Sequence, residues 1–108
     1  VIDRNMIQID GVTEEVLPLE VLRLKYESFN WNVFEVDGHD MQAYVQAVKK
    51  ATEVKGRPTC IIAHTIPGKN VSFMENDYLW HGKAPNKEEA TKANAELQTL
   101  LDKLKQHA

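Results

Sequence analysis

With only one cysteine, Cys60, the 108-residue chain cannot form an internal disulfide. Thr59, Ile61, Ile62 and Ala63 surround it, so it reads as a small apolar side chain of the interior and fits a reducing, cytoplasmic setting. Long apolar runs are missing: none approaches the roughly 20 residues that a membrane-spanning helix needs. The first residues also lack the basic-then-apolar order of a secretion signal. Positive charge is not in excess. Thirteen lysines and arginines against 16 acidic residues leave a net charge of −3, which gives no support to nucleic-acid or acidic-membrane binding. The four histidines are scattered and, with one cysteine, show no zinc-ligand spacing. Gly68-Lys69 lacks the Walker sequence of a phosphate loop, and no helix follows it directly. Repeats, low-complexity tracts and interdomain linkers are absent, so residues 1–108 make at most one domain.

What is present suffices for a core, with 43% hydrophobic and 27% charged residues. Val1 and Ile2 run into Asp3 as the end of a buried strand would. With no initiator methionine, the expectation is a piece of something longer. Asn5 follows in a turn, then the alternation Ile7, Gln8, Ile9 and a second turn at Asp10-Gly11. Loops at the carboxyl ends of strands in α/β sheets are where ligands bind. An Asn side-chain oxygen with a nearby backbone carbonyl suits a hard cation such as Mg²⁺; an ordinary turn explains the same residues.

Pro18 is placed to open a helix whose stripe is Leu19, Leu22, Tyr26 and Phe29. Trp31 to Val36 reads as a strand covered on both faces. Asp37-Gly38-His39-Asp40 turns into a second helix with the stripe Met41, Tyr44, Val45, Val48 and Ala51, stopped by Gly56 and Pro58. Thr59 to Ile66 is apolar and too short for a helix, hence an interior strand. This alternation predicts an α/β fold with a short parallel sheet and flanking helices in three layers. From Pro67 to Pro85 the chain is irregular, and loops of this length tend to be functional or disordered; Phe73 and Trp80 argue for order. Asn86 and Glu89 form a capping box for the last helix, with the stripe Ala90, Ala93, Leu97, Leu100, Leu101 and Leu104.

Among the side chains able to do chemistry, His81 stands out, between Trp80 and Gly82 in a loop leaving a strand end, where an imidazole can contact a ligand or move a proton. A structural loop histidine stacked on tryptophan is the plain alternative. His64 fits hydrogen-bonded strand-end structure, His39 a helix-start turn, and His107 the solvent. Lys69 and Lys83 are either anion contacts or solvated loop lysines. The acidic residues form no obvious acid/base pair.

Several segments, in order and at matching separations, resemble the transketolase family across essentially the whole chain. They are Asp3-Arg4-Asn5-Met6-Ile7-Gln8-Ile9-Asp10-Gly11, Phe29-Asn30-Trp31-Asn32-Val33, Val36-Asp37-Gly38-His39-Asp40, Pro58-Thr59, Ala63-His64-Thr65-Ile66-Pro67-Gly68-Lys69 and Trp80-His81-Gly82-Lys83-Ala84-Pro85. The resemblance implies the second part of the thiamine-diphosphate-binding domain, closest to forms in which that domain is a separate subunit. It implies that Asn5 gives its side-chain oxygen and Ile7 its backbone carbonyl to Mg²⁺ or Ca²⁺. Ile9 is implied to pack near the thiazolium ring, and His81 to reach the cofactor diphosphate and the substrate, a catalytic position. The implied activity is transfer of a two-carbon ketol unit between sugar phosphates, as in the pentose phosphate pathway, in a dimeric enzyme. The Trp80-His81-Gly82-Lys83 loop favours this family over related thiamine enzymes such as deoxyxylulose-phosphate synthases or dehydrogenase components.

Departures from the pattern are equally informative. The glycine-aspartate-glycine opening of the metal motif and the sugar-binding histidines belong upstream of Val1. The pyrimidine-binding domain, with its activating glutamate, is absent and would come from a partner subunit. Asn70 stands where many relatives have a second glycine, and Pro67 where some carry a lysine. Asn5 and Ile7 give only two protein oxygens, without the formal negative charge of the aspartate, whereas Mg²⁺ demands near-octahedral ligation. The expectation is therefore a chain inactive by itself, its partners being the rest of a transketolase. The competing expectation is a non-catalytic α/β interaction or scaffold module derived from the same fold.

Overall fold

The strand Thr59–His64 (β5) is the centre of a three-stranded parallel sheet, with Ile2–Arg4 (β1) on one edge and Asn32–Asp37 (β4) on the other. Ile62 lies opposite Ile2 on one side and Glu35 on the other, and His64 lies opposite Arg4 and Asp37. A strand covered on both faces carries apolar residues at both parities, and Cys60, Ile61, Ile62 and Ala63 are all buried. Full burial of an isoleucine side chain contributes about 1.5–3 kcal/mol, so β5 is the main anchor of the sheet. The structure is a computed structural model that describes residues 1–106. The expectation for His107 lies outside the described residues.

From β1 the chain crosses to β4 through Thr13–Val16 (α1) and Leu22–Ser28 (α2), and it returns to β5 through Met41–Glu53 (α3). Right-handed crossovers that run in opposite directions along a sheet lay their helices on opposite faces. On the α2 face, Leu22, Tyr26 and Trp31 pack on the cluster Val33, Cys60 and Ile62. Helices above and below the sheet give the expected three-layer α/β arrangement. These elements make one compact unit, residues 1–6 and 13–65. A second unit comprises residues 7–12 and the chain from Ile66 onward. It contains the antiparallel pair Ile7–Gln8 (β2) and Gly11–Val12 (β3), a 3-10 helix at Tyr78–Trp80, and Lys87–Gln106 (α4). Among the described residues, no helix is long and apolar enough to cross a membrane.

Several expectations need correction. Helix α2 begins at Leu22, not at Pro18, because the Glu14 carboxylate accepts the backbone N–H groups of Leu19 (3.1 Å) and Glu20 (3.3 Å) and holds that segment non-helical. Phe29 caps the helix and is 79% exposed instead of closing an apolar stripe. In α3 the residue buried against the sheet is Ala47, while Met41, Val45 and Val48 are exposed. A small side chain there lets the helix approach closely, and the larger apolar residues fall to its flank. The α3 start is as expected, with the Asp40 carboxylate accepting the Ala43 N–H at 2.9 Å. Strand β5 stops at His64, two residues short of Ile66, and His64 is exposed.

Candidate functional site

At the carboxyl end of β1, Arg4 is buried, Asn5 half-buried, and Met6 takes a left-handed backbone with φ 65°. That region is uncommon for a residue with a side chain. Asn5 belongs to the first unit; Ile7, Ile9 and His81 belong to the second. Ile7 is half-buried in β2, and Ile9 sits at the hairpin tip, 69% exposed. Strand β3 packs against the 3-10 helix, and His81 is the residue that ends this helix. Within the second unit the hairpin thus lies beside the element carrying His81.

His81 rests on an ordered loop. The Asp77 carboxylate accepts the Leu79 N–H at 2.9 Å and opens the 3-10 helix, and the His81 N–H donates to the Tyr78 carbonyl at 2.9 Å and closes it. The Trp80 indole N–H donates to the Phe73 carbonyl at 2.9 Å, and the two rings meet edge to face at 5.5 Å. Lys83 places its ammonium 3.9 Å from the centre of the Trp80 ring and 2.7 Å from a Glu89 carboxylate oxygen. The Lys83 ammonium therefore covers the Trp80 ring, and His81 is exposed. Lys83, though half exposed, is paired with Glu89 and so ties the loop to α4.

The first half of the loop is closed as firmly. Asn76 N–H donates to the Pro67 carbonyl at 3.0 Å, and the Glu75 carboxylate accepts the Asn70 N–H at 2.7 Å. Gly68 has φ +68°, and a Cβ there would lie 2.6 Å from the Met74 carbonyl oxygen. Asn70, at φ 70°, holds a left-handed backbone, which asparagine tolerates better than most residues. Glu96 on α4 accepts both the Ser72 N–H (2.6 Å) and the Ser72 hydroxyl (2.8 Å). These bonds hold the carboxyls of Glu96 and Glu89 below the usual range: through the Ser72 N–H at Glu96, through Lys83 and the Asn86 N–H at Glu89. Burial pushes the Cys60 thiol up, so it stays protonated and inert.

The donor chemistry for a cation is partial. Among the described residues, no group of three or more His, Cys, Asp or Glu side chains is placed to hold a metal ion. Asn5 and the Ile7 carbonyl offer neutral oxygens of the type that hard cations take, but too few to hold one alone. By donor type both are oxygens that an Mg²⁺ or Ca²⁺ cage uses, and two do not make a cage. Sequence reasoning overlooked the network behind Asn5, namely Arg4, Thr13, Glu14 and Glu20. A charged residue closing an apolar strand was the only signal for it.

The parallel three-stranded sheet flanked by helices defines an α/β class of fold. The model of the transketolase thiamine-diphosphate-binding domain matches residues 1–101. Over 104 residues the chain is 36% identical to an apulose-4-phosphate transketolase subunit of Phocaeicola vulgatus, covering 96% of this chain and 37% of that protein. It is 41% identical over 96 residues to 6-deoxy-6-sulfo-D-fructose transketolase subunit SqwG of a Clostridium species, covering 89% and 35%. A transketolase structure from Campylobacter jejuni superposes with a TM-score of 0.77 at 26% identity, covering 87% of this chain and 15% of that one. The chain belongs to the transketolase family, within its thiamine-diphosphate-binding domain. It spans little more than a third of these two relatives and about a seventh of a transketolase-like protein of Bos taurus that it also matches.

Proposed function

We propose that residues 1–108 form the second part of the thiamine-diphosphate-binding domain of a cytoplasmic transketolase, which moves a two-carbon ketol unit between sugar phosphates with Mg²⁺ or Ca²⁺. What supports this most is the family match over residues 1–101 with both Asn5-Met6-Ile7 and Trp80-His81-Gly82-Lys83 in place. In this reading the Asn5 side-chain oxygen and the Ile7 carbonyl contribute two ligands to the cation. The exposed apolar surface of Ile9 packs beside the thiazolium ring. An imidazole N–H of His81 donates to a diphosphate oxygen and orients the sugar substrate, the contact that makes it the catalytic residue of this chain. Thiamine diphosphate, when bound, supplies the carbon nucleophile. The protein's share is positioning and electrostatics.

Two neutral oxygens do not hold Mg²⁺, so the chain alone is inactive and its partners are the upstream half-domain and a pyrimidine-binding domain or subunit, in a dimeric enzyme. Isothermal titration with thiamine diphosphate and Mg²⁺ tests this on the chain and on a version extended upstream. Tight binding only by the extended version is expected; failure of both overturns the reading. A second reading, a non-catalytic interaction module, is favoured by the exposure of Phe29 (79%), Leu17 (70%), Met41 (65%) and Leu24 (58%). Self-association in light scattering together with absent cofactor binding by the extended version would favour it.

A further inference from the structure

Asn5 lies between two residues held by the same side chain. On its amino side Arg4, 3% exposed, donates Nη1–H to the Thr13 hydroxyl oxygen at 2.8 Å. Its Nη2–H groups go to Glu14 (2.5 Å) and Glu20 (2.8 Å), its Nε–H to Glu20 (3.1 Å), and its own carbonyl accepts the Thr65 N–H at 3.2 Å. On the carboxyl side the Met6 carbonyl accepts the Thr13 N–H at 2.9 Å and the Thr13 Oγ1–H at 3.2 Å. The direction of these bonds is not arbitrary. A guanidinium only donates, so the Thr13 oxygen must accept from Arg4 and spend its single proton on Met6. One buried hydroxyl therefore couples the residue before Asn5 to the residue after it.

The coupling has a physical purpose that the backbone exposes. Met6 sits at φ 65°, where a side chain crowds the following carbonyl. Such a conformation persists only where the surroundings over-determine it, and the two bonds from Thr13 to the Met6 carbonyl are what does so. Arg4 in turn is fixed by two carboxylates, and Glu14 also binds the Leu19 N–H. The turn that presents Asn5 is thus clamped at both ends to the 13–20 segment. We infer that Thr13 and Arg4 are positioning residues for Asn5, holding the strand-end turn in the one backbone conformation that presents its amide as a ligand. This rests on the reading of Asn5 as a cation ligand.

Thr13→Val keeps the β-branched shape and removes only the hydroxyl; Thr13→Ser keeps the hydroxyl. The first measurement is ¹⁵N relaxation at residue 5 in this chain, well below its melting temperature. In Thr13→Val the order parameter is expected to fall from the rigid range near 0.85 toward 0.6 or below, with residues 59–64 unchanged and Thr13→Ser like the original. The second is Mn²⁺ titration, with thiamine diphosphate present, of the upstream-extended chain. A roughly 10–100-fold weaker Kd in Thr13→Val, restored in Thr13→Ser, is expected for lost outer-shell support. Unchanged order at residue 5 and unchanged Mn²⁺ affinity in Thr13→Val overturn the inference while leaving the family site standing. If the unsubstituted extended chain binds no Mn²⁺, the cation reading of Asn5 fails, and the relaxation measurement alone then decides the clamp. Should Thr13→Val not fold, Glu20→Gln, which loosens Arg4 from an exposed partner, must shift both measurements in the same direction; no shift overturns the inference.

Discussion

Replacing Gly68 by alanine probes how firmly the loop that carries His81 is built. At φ +68° a side chain meets the left-handed penalty of about 1–2 kcal/mol. The added Cβ would also stand 2.6 Å from the Met74 carbonyl oxygen and 2.7 Å from its carbonyl carbon and Cβ. Most of that contact is backbone, held by the Met74 N–H bond to Val71 and the Asn76 N–H bond to Pro67, so it does not yield cheaply. Overpacking of this kind adds about 1–3 kcal/mol, and the smaller unfolded-state entropy of alanine returns about 0.4–1 kcal/mol. The net expectation is a loss of about 1–5 kcal/mol. Gly56→Ala is the internal control, since Gly56 has φ +79° but no atom within 4 Å of its Cβ position. The two substitutions share the backbone penalty, and their difference isolates the clash. Urea unfolding of both, in a Trp31→Phe background so that Trp80 reports on the loop, gives the numbers. Equal losses in Gly68→Ala and Gly56→Ala, with Trp80 emission unchanged, would show that the 67–77 loop is not packed as described.

Met6→Gly removes a left-handed penalty of about 1–2 kcal/mol and adds roughly 0.5–1 kcal/mol of unfolded-state entropy, so thermal unfolding should show a neutral to slightly stabilising change; a clear loss would contradict φ 65° at this residue. Asn86→Ala removes the cap that accepts the Glu89 N–H at 2.9 Å and should cost about 0.5–2 kcal/mol, visible as a lower melting temperature by circular dichroism. Acid should destabilise the fold through four carboxylates whose pKa is lowered. At Glu14 the causes are the N–H groups of Leu19 and Glu20 and then Arg4; at Glu20, Arg4 and then the Leu22 N–H; at Glu89, Lys83; at Glu96, Ser72. A lowered carboxyl contributes stability that is complete above its unfolded value near 4.5 and is lost as pH falls through the folded value. Melting temperature should therefore drop on acidification below about pH 5, and less steeply in Glu96→Gln. A flat profile from pH 6 to pH 3 would contradict these contacts.

The amino-acid order alone determined the elements whose cause is local. Strand β5 follows Gly56 and Pro58 and is apolar at every interior position, and only an interior strand satisfies both facts. Helix α4 announces itself through Asn86 and Glu89, which bond each other's backbone N–H groups as a capping box does. The family motifs, too, are local strings, and they could be recognised before any folding. Tertiary structure decided where each side chain lands in three dimensions, which neither periodicity nor a cap pattern encodes. Glu14 delays α2 to Leu22, Ala47 rather than Val45 or Val48 is the buried residue of α3, and Lys83 takes a place over the Trp80 ring. Least legible of all was Arg4, a charge at the end of an apolar strand that only three later residues, Thr13, Glu14 and Glu20, make tolerable in the interior. Spacing along a chain encodes periodicity and caps, whereas hydrogen bonds over nine to 24 residues exist only once the sheet has brought their ends together.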